Sequence, residues 1–238
     1  MAQNGKIPNN KRKIEKISQI ILIASGKGGV GKSTISVALA EQLTAQGAKV
    51  GLVDADIYGP SIPIMMGINQ KPTIENNKII PLSSRGIKLM SIGFLTGAEG
   101  AIAWRGPMTT KAIHQLLGVV EWGELDYLII DTPPGTGDVH LSILENYHID
   151  GVIMVTTPQK IAASDALKGI DLYQKFSVPI LGIIENMSDI FSGANGEKIA
   201  EEHKIPLIVQ VPFNKAISDQ SDQGKAIGSL MKNISPFL

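Results

Sequence analysis

The stretch Ile20-Ile21-Leu22-Ile23-Ala24-Ser25-Gly26-Lys27-Gly28-Gly29-Val30-Gly31-Lys32-Ser33-Thr34 decides the fold. Its first part is a strand-length apolar run, the pattern of a strand buried on both faces. Its second part satisfies G-x-x-x-x-G-K-[ST], and apolar residues at helical spacing follow from Ser33 to Gln46, ending at Gly47, which is free to take positive φ. A strand, a glycine loop and a helix in that order form the setting in which the pattern has physical meaning. Glycines let backbone N–H groups curl round a polyphosphate, and the helix N-terminus adds a partial positive charge. The candidate nucleotide-binding residues are therefore Gly26, Lys27, Gly28, Gly29, Val30, Gly31, Lys32, Ser33 and Thr34. Lys32 is expected on the β- and γ-phosphates of ATP and the Ser33 hydroxyl on Mg²⁺. The bland alternative is a glycine-rich turn with an incidental lysine.

Working outward, apolar runs recur at Val50 to Val53, Tyr127 to Ile130, Gly151 to Val155, Ile180 to Ile184 and Leu207 to Val211. Their spacing is about that of βαβ units, apart from one wide gap. Helical patterns cover Ile161 to Phe176 and Pro212 to Gln223. The fold class is α/β, a doubly wound and mainly parallel sheet. Within the gap from Ile57 to Leu125, Lys78 to Ile80 and Ile87 to Ile92 flank Ser-Ser-Arg-Gly, which predicts a hairpin on the sheet edge, and a helix is expected to open near Gly106-Pro107. Residues 1–18 are polar and basic and are expected to form a mobile tail leading into a short helical or extended lead-in; residues 19–238 are expected to be a single P-loop ATPase domain.

Two further strands end in carboxylates. Val50 to Val53 leads to Asp54-Ala55-Asp56, and Tyr127 to Ile130 leads to Asp131-Thr132-Pro133-Pro134-Gly135. Ligands of open parallel sheets bind beyond the C-terminal strand ends, so these groups are expected to face the crevice that holds Lys32. Asp131 fits a carboxylate that orients Mg²⁺ directly or through its water shell. For Asp54 and Asp56 the alternative is a capping or turn carboxylate.

The chain has 238 residues, 43% apolar and 18% charged, enough to bury a core without staples. Lys plus Arg (22) balance Asp plus Glu (22), which argues against a broad grip on nucleic acid. There is no cysteine, which removes disulfides, thiolate metal sites and cysteine-held iron-sulfur clusters. No apolar stretch is long enough for a membrane span, and the first residues lack a signal-peptide core, so a cytoplasmic location is expected. The histidines His114, His140, His148 and His203 show no tight metal spacing. Trp104, Trp122 and Met65-Met66 are expected in core packing, with a partner surface as the alternative. The segment from Ala226, with Ile227, Leu230, Met231 and Ile234, is expected to pack on the domain, which makes membrane contact the lesser reading.

Lys27 lies outside the general loop pattern. The string Lys27-Gly28-Gly29-Val30-Gly31-Lys32-Ser33-Thr34 resembles the deviant Walker A loop of the MinD/ParA/NifH-like ATPases. Asp54 to Pro63, Trp104 to Met108, Trp122 to Tyr127, Asp131 to Asp138 and Val155 to Gln159 resemble the Mrp/ApbC branch of that group. The resemblance implies an ATP-hydrolysing, ATP-dependent homodimer that carries iron-sulfur clusters to apoprotein clients or works with cluster-assembly proteins. It implies a catalytic role for Lys27 across the dimer, for Lys32, for Asp56 near the attacking water and for Asp131, with Asp131 to Gly137 as switch II. It implies Asn186 at the adenine edge; Asp54 joins Ser33 and Asp131 as a candidate Mg²⁺ residue, directly or through water. The alternatives are a solvated loop charge for Lys27 and an amide closing a strand-end turn for Asn186. Relatives in this branch carry C-x-x-C after Glu-Asn-Met-Ser, whereas this chain runs from Ser188 directly to Asp189-Ile190-Phe191-Ser192-Gly193. Cluster holding is thus in doubt, and a MinD/ParA-like nucleotide-gated dimerisation switch, binding a partner or membrane, is the second reading.

Overall fold

The computed structural model describes residues 11–95 and 106–235. In chain order the elements are β1 (Ile17–Ser25), α1 (Lys32–Ala45), β2 (Val50–Asp54), α2 (Ile62–Met65), β3 (Thr73–Glu75), β4 (Lys78–Ile80), β5 (Leu82–Ser84), β6 (Ile87–Ser91), α3 (Ile92–Leu95), α4 (Gly106–His114), β7 (Leu125–Asp131), α5 (Asp138–Asn146), β8 (Gly151–Thr156), α6 (Lys160–Lys175), β9 (Ile180–Asn186), α7 (Asn195–His203), β10 (Leu207–Val211) and α8 (Lys215–Asp222). An eight-stranded sheet runs β10-β9-β8-β1-β7-β2-β6-β5, parallel except for the β5–β6 pair. The doubly wound α/β expectation holds. Helices cover both faces, so β8 is buried at every residue and β1 from Ile20 onward.

The register places the chemistry. Asp131 pairs with Ile23 on one side and with Asp54 on the other, and Asp54 pairs with Ser91. The C-terminal ends of β1, β7 and β2 therefore meet at one crevice.

Helix α1 is buried almost all round, including Ile35, Val37, Ala38, Leu39, Ala40 and Leu43. A helix apolar on every side needs cover on its outer face as well as on the sheet. The C-terminal segment provides it: Ile227, Met231 and Ile234 are buried with α1, as the packing expectation has it, and Leu230 packs against them. Glu41 accepts the N–H groups of Ile227 and Gly228, and Gln42 accepts that of Ile234.

Three expectations are corrected. β1 begins at Ile17 rather than Ile20, and the lead-in before it is tied down as far back as Arg12, whose N–H donates to Asn146 O while His148 N–H donates to Arg12 O; residues 1–10 of the expected tail lie outside the described residues. The edge hairpin joins β5 to β6, not Lys78–Ile80 to Ile87–Ile92. Pro81 lacks the N–H that would continue β4 into β5, and β4 turns back on β3 in a separate pair. Both hairpins use two-residue turns with positive φ at both positions, Asn76-Asn77 (49° and 60°) and Arg85-Gly86 (53° and 78°). Finally, α8 starts at Lys215 rather than Pro212, because Asn214 caps it by accepting from Ala216 N–H at 3.0 Å. Met65, Met66 and Trp122 are buried, as expected of core residues. Trp104 lies outside the described residues.

Candidate nucleotide-binding site

The glycine loop leaves β1 and enters α1 with Gly29 and Gly31 in left-handed conformation (φ 79° and 85°). A Cβ on Gly26 would stand 2.1 Å from the Asp165 carbonyl carbon, so that glycine lets α6 approach the loop backbone. A Cβ on Gly29 would meet nothing within 4 Å: the loop is open on that side.

Lys32 is 6% exposed and Asp131 is 0% exposed, with Nζ 2.9 Å from Oδ2. The pair lacks hydrogen-bond geometry, and Nζ, shielded from solvent, has no hydrogen-bond partner among the described residues. A buried ammonium with unused donors is costly unless an anion completes it. Ser33 Oγ donates to Asp131 Oδ2 (2.7 Å), and Ser36 Oγ donates to Asp131 Oδ1 (2.6 Å). The Ser33 proton thus points at Asp131 while its oxygen lone pairs stay free for a cation. Ser36, one helical turn after Lys32, was not among the expected site residues; its spacing on α1 is the signal that would have found it.

Asp54, completely buried, accepts from Asp56 N–H at Oδ1 and from Ile62 N–H and Ser91 Oγ at Oδ2. Burial first, and the neighbouring Asp131 charge second, push its carboxyl up to about 8. Its oxygens organise the turn after β2, so the turn-carboxylate alternative describes its geometry better than direct metal ligation. Asp56 is less buried and accepts from Tyr58 N–H at 3.1 Å. Burial raises its pKa, opposed most by the Lys32 charge.

Lys27 Nζ donates to Gln159 Oε1 at 2.9 Å, tying the loop to the segment after β8. Its side chain is partly buried. Asn186 Nδ2 donates to Val30 O at 2.9 Å, and its nitrogen would be 2.2 Å from a Cβ on Gly31. It closes the end of β9 onto the phosphate loop. Beside it opens a cavity of about 350 Å³ lined by Gly31, Thr34, Asn186, Met187, Phe213 and Asn214.

A short turn joins β9 to α7. Ser188 N–H donates to Val211 O (3.0 Å), Phe213 N–H to Asp189 Oδ1 (2.6 Å), Asn195 Nδ2 to Pro158 O (2.6 Å) and Gly196 N–H to the buried Glu185 (2.8 Å). Of the histidines, His140 is completely buried between Pro133 O and the Tyr173 hydroxyl, and His148 pairs with Asp150. No group of three or more His, Asp or Glu among the described residues is placed to hold a metal ion, and no helix among them is long and apolar enough to cross a membrane.

A family model described as ParA, NUBPL iron-transfer P-loop NTPase, matches residues 16–235. The chain belongs to this family of iron-transfer P-loop NTPases. The Mrp/ApbC resemblance is thereby confirmed. The iron-sulfur cluster carrier protein of Rickettsia felis is 54% identical over 226 residues, covering 95% of this chain and 71% of the relative. The protein of that name from Escherichia coli K12 is 46% identical over 228 residues, covering 90% of this chain and 62% of the relative. Among solved structures, a nucleotide-binding protein from Archaeoglobus fulgidus in complex with ADP is 35% identical with a TM-score of 0.80, over 93% of this chain and 92% of that one. The septum site-determining protein MinD of Pyrococcus horikoshii, complexed with Mg-ADP, has a TM-score of 0.67 at 22% identity over 87% and 86% of the two chains, a likeness of fold. With no cysteine, the chain has no thiolate with which to hold an iron-sulfur cluster.

Proposed function

We propose that this chain binds and hydrolyses Mg-ATP as a homodimer and acts in iron-sulfur cluster delivery without holding the cluster on cysteines of its own. The observation that carries the ATP reading is the buried Lys32 ammonium, ion-paired to Asp131 yet without a hydrogen-bond acceptor, at the head of an open glycine loop.

The residues divide the work. Loop N–H groups from Gly28 to Thr34 and Lys32 bind the β- and γ-phosphates; Ser33 and Asp131 hold the magnesium site, Asp131 directly or through water. A bound magnesium ion would supply charge neutralisation at the phosphates. Asp56, beside Lys32 and only partly buried, orients the attacking water. Asn186 and the cavity beside it receive the base. Lys27 leaves Gln159 and reaches the partner protomer's phosphates, which makes hydrolysis depend on dimerisation. The chain from β1 onward works as one ATPase unit, which takes Ile17 and Ser18 into the unit expected over residues 19–238. The clients, by analogy with the relatives' names, are apoproteins or cluster-assembly proteins.

One observation favours a second reading: the tied turn after β9 and the absence of cysteine suit a nucleotide-gated switch whose ATP-bound dimer presents a surface to a partner. Anaerobic reconstitution with iron and sulfide, followed by desalting and quantification of iron and acid-labile sulfide, separates the two. About one cluster per dimer means a carrier with non-cysteine ligands; none means a switch or a carrier that borrows a partner's thiols. Isothermal calorimetry with Mg-ATP tests both, since absence of binding removes the nucleotide site on which each depends.

A further inference from the structure

His140 on α5 is completely buried, and the nucleotide chemistry above makes no use of it. Nε2 lies 3.0 Å from Pro133 O and Nδ1 lies 2.7 Å from the Tyr173 hydroxyl. A carbonyl oxygen has no hydrogen to give, so Nε2 carries the proton and donates it; in the neutral ring, Nδ1 is then the acceptor of the Tyr173 hydroxyl. Burial holds the ring neutral, pushing His140 down to about 4, and raises the Tyr173 phenol above its ordinary range, keeping it protonated. The two rings meet edge to face, 6.0 Å between centroids at 68°. The tautomer is therefore set by the partners at both ends.

The carbonyl that His140 grips follows Asp131 by two residues. Pro133 and Pro134 have no N–H, so this turn has few backbone donors with which to hold itself. Its other anchors reach β1 and α6: Thr132 N–H (3.2 Å) and Thr132 Oγ1 (2.9 Å) donate to Ile23 O, Gly135 N–H donates to Ser25 O at 2.8 Å, and the Thr132 side chain also meets the Tyr173 hydroxyl. The His140 bond restrains the same turn from the side of α5 and α6.

We propose that His140 is a positioning residue: its Nε2–H fixes the Pro133 carbonyl and thereby the turn that carries the Asp131 carboxylate, with Tyr173 as the lock on its tautomer. This deepens the ATPase reading of the site and rests on it for its catalytic consequence. A displacement of the turn during turnover has to break this bond or carry α5 with it, which links the phosphate end to the α5–α6 side of the molecule.

The test uses the full chain and three variants. His140→Leu removes the donor, His140→Gln retains an N–H, and Tyr173→Phe removes the lock together with the hydroxyl that faces the Thr132 side chain. Turnover with Mg-ATP, Mg-ADP affinity by calorimetry and amide hydrogen exchange over residues 131–137 are measured together. His140→Leu is expected to lower kcat about tenfold or more with KM within about threefold, as a misplaced catalytic segment does. Exchange at Thr132 and Gly135 should accelerate while α1 and β8 keep wild-type rates. His140→Gln should recover part of kcat. The proposal is overturned by a kcat within about twofold of wild type with unaltered exchange. It is equally overturned by exchange that accelerates throughout the chain with Gln no better than Leu, the mark of core packing alone. If His140→Leu does not fold, Tyr173→Phe carries the test, and unchanged kcat and exchange there overturn it. A wild-type protein with no turnover sinks the ATPase reading instead, while localised exchange in the His140 variant still upholds the clamp.

Discussion

The crevice at the ends of β1, β7 and β2 and the turn between β9 and α7 lie on the same side of the sheet and are built in opposite ways. In the crevice, Lys32, Asp131, Ser36 and Asp54 are buried polar groups, each fixed by neighbours from another strand or helix. The turn after β9 is partly exposed and held by backbone bonds and the surface carboxylate of Asp189, with Asn195 and the buried Glu185 anchoring only its far end. Buried charge is expensive and persists where an interaction uses it; an exposed turn places few demands on its side chains. The crevice is thus committed by its buried charges, and the exposed turn after β9 is not.

The most severe way to break this comparison is Lys32→Ala. It removes the cation from a site built around it, leaves Asp131 buried without its counter-charge, and should cost about 3–5 kcal/mol of Mg-ATP binding, a loss of a hundredfold or more. Calorimetry reads it directly. Wild-type affinity in the variant would mean that the crevice is a structural ion pair and nothing else.

Lys27→Ala should act differently. The Lys27–Gln159 contact is a half-buried hydrogen bond at the loop's rim, so nucleotide binding to the monomer should change by no more than about threefold. ATP-dependent dimerisation, followed by sedimentation with and without Mg-ATP, should be lost. A variant that still dimerises and hydrolyses normally removes the reading of Lys27 as a charge acting across the interface.

A pH series sharpens the comparison on the buried side. His140 has its pKa lowered from 6.5 to about 4, so the unfolded chain binds the extra proton first as pH falls. Its contribution to stability is complete above about 6.5 and is lost as pH falls through 4, a loss of up to about 3 kcal/mol. Asp54, raised from 3.8 to about 8, has the opposite sign, favouring the fold at low pH and losing that advantage as pH rises through 8. The two slopes oppose each other below 6.5. The measurement is therefore the difference in urea unfolding free energy between wild type and His140→Gln, which should shrink from pH 7 to pH 4.5. A difference that stays constant over that range contradicts a neutral buried imidazole.

How much of this was legible in the letters follows the same division. The strands and the loop could be read because continuous apolar runs and a glycine loop are local patterns, and each decided its own stretch of chain. The edge hairpin is misplaced by one strand in the sequence reading because Leu82–Ser84, which pairs with β6, is too short and polar to stand out, and Ser83-Ser84-Arg85-Gly86 reads whole as the turn. The site's second layer was hidden for another reason. Lys27 meets Gln159 across 132 residues and Asn186 meets Val30 across 156, so those contacts exist only once the strand order is known. His140 and Tyr173 come from two helices that no period in the sequence brings together.

The smallest effect is expected at the exposed turn. Asp189 accepts the Phe213 N–H at 2.6 Å but lies at the surface, where water replaces the lost acceptor. Asp189→Ala should therefore cost less than about 1 kcal/mol in urea unfolding. Mg-ATP affinity should be unchanged, because the carboxylate touches neither Lys32 nor Asp131. Phe213 borders the cavity beside Asn186, so a large fall in affinity would show that the turn after β9 governs the base pocket and that the two regions are not independent. A small stability cost with intact affinity would mean that this turn is free to change without disturbing the crevice.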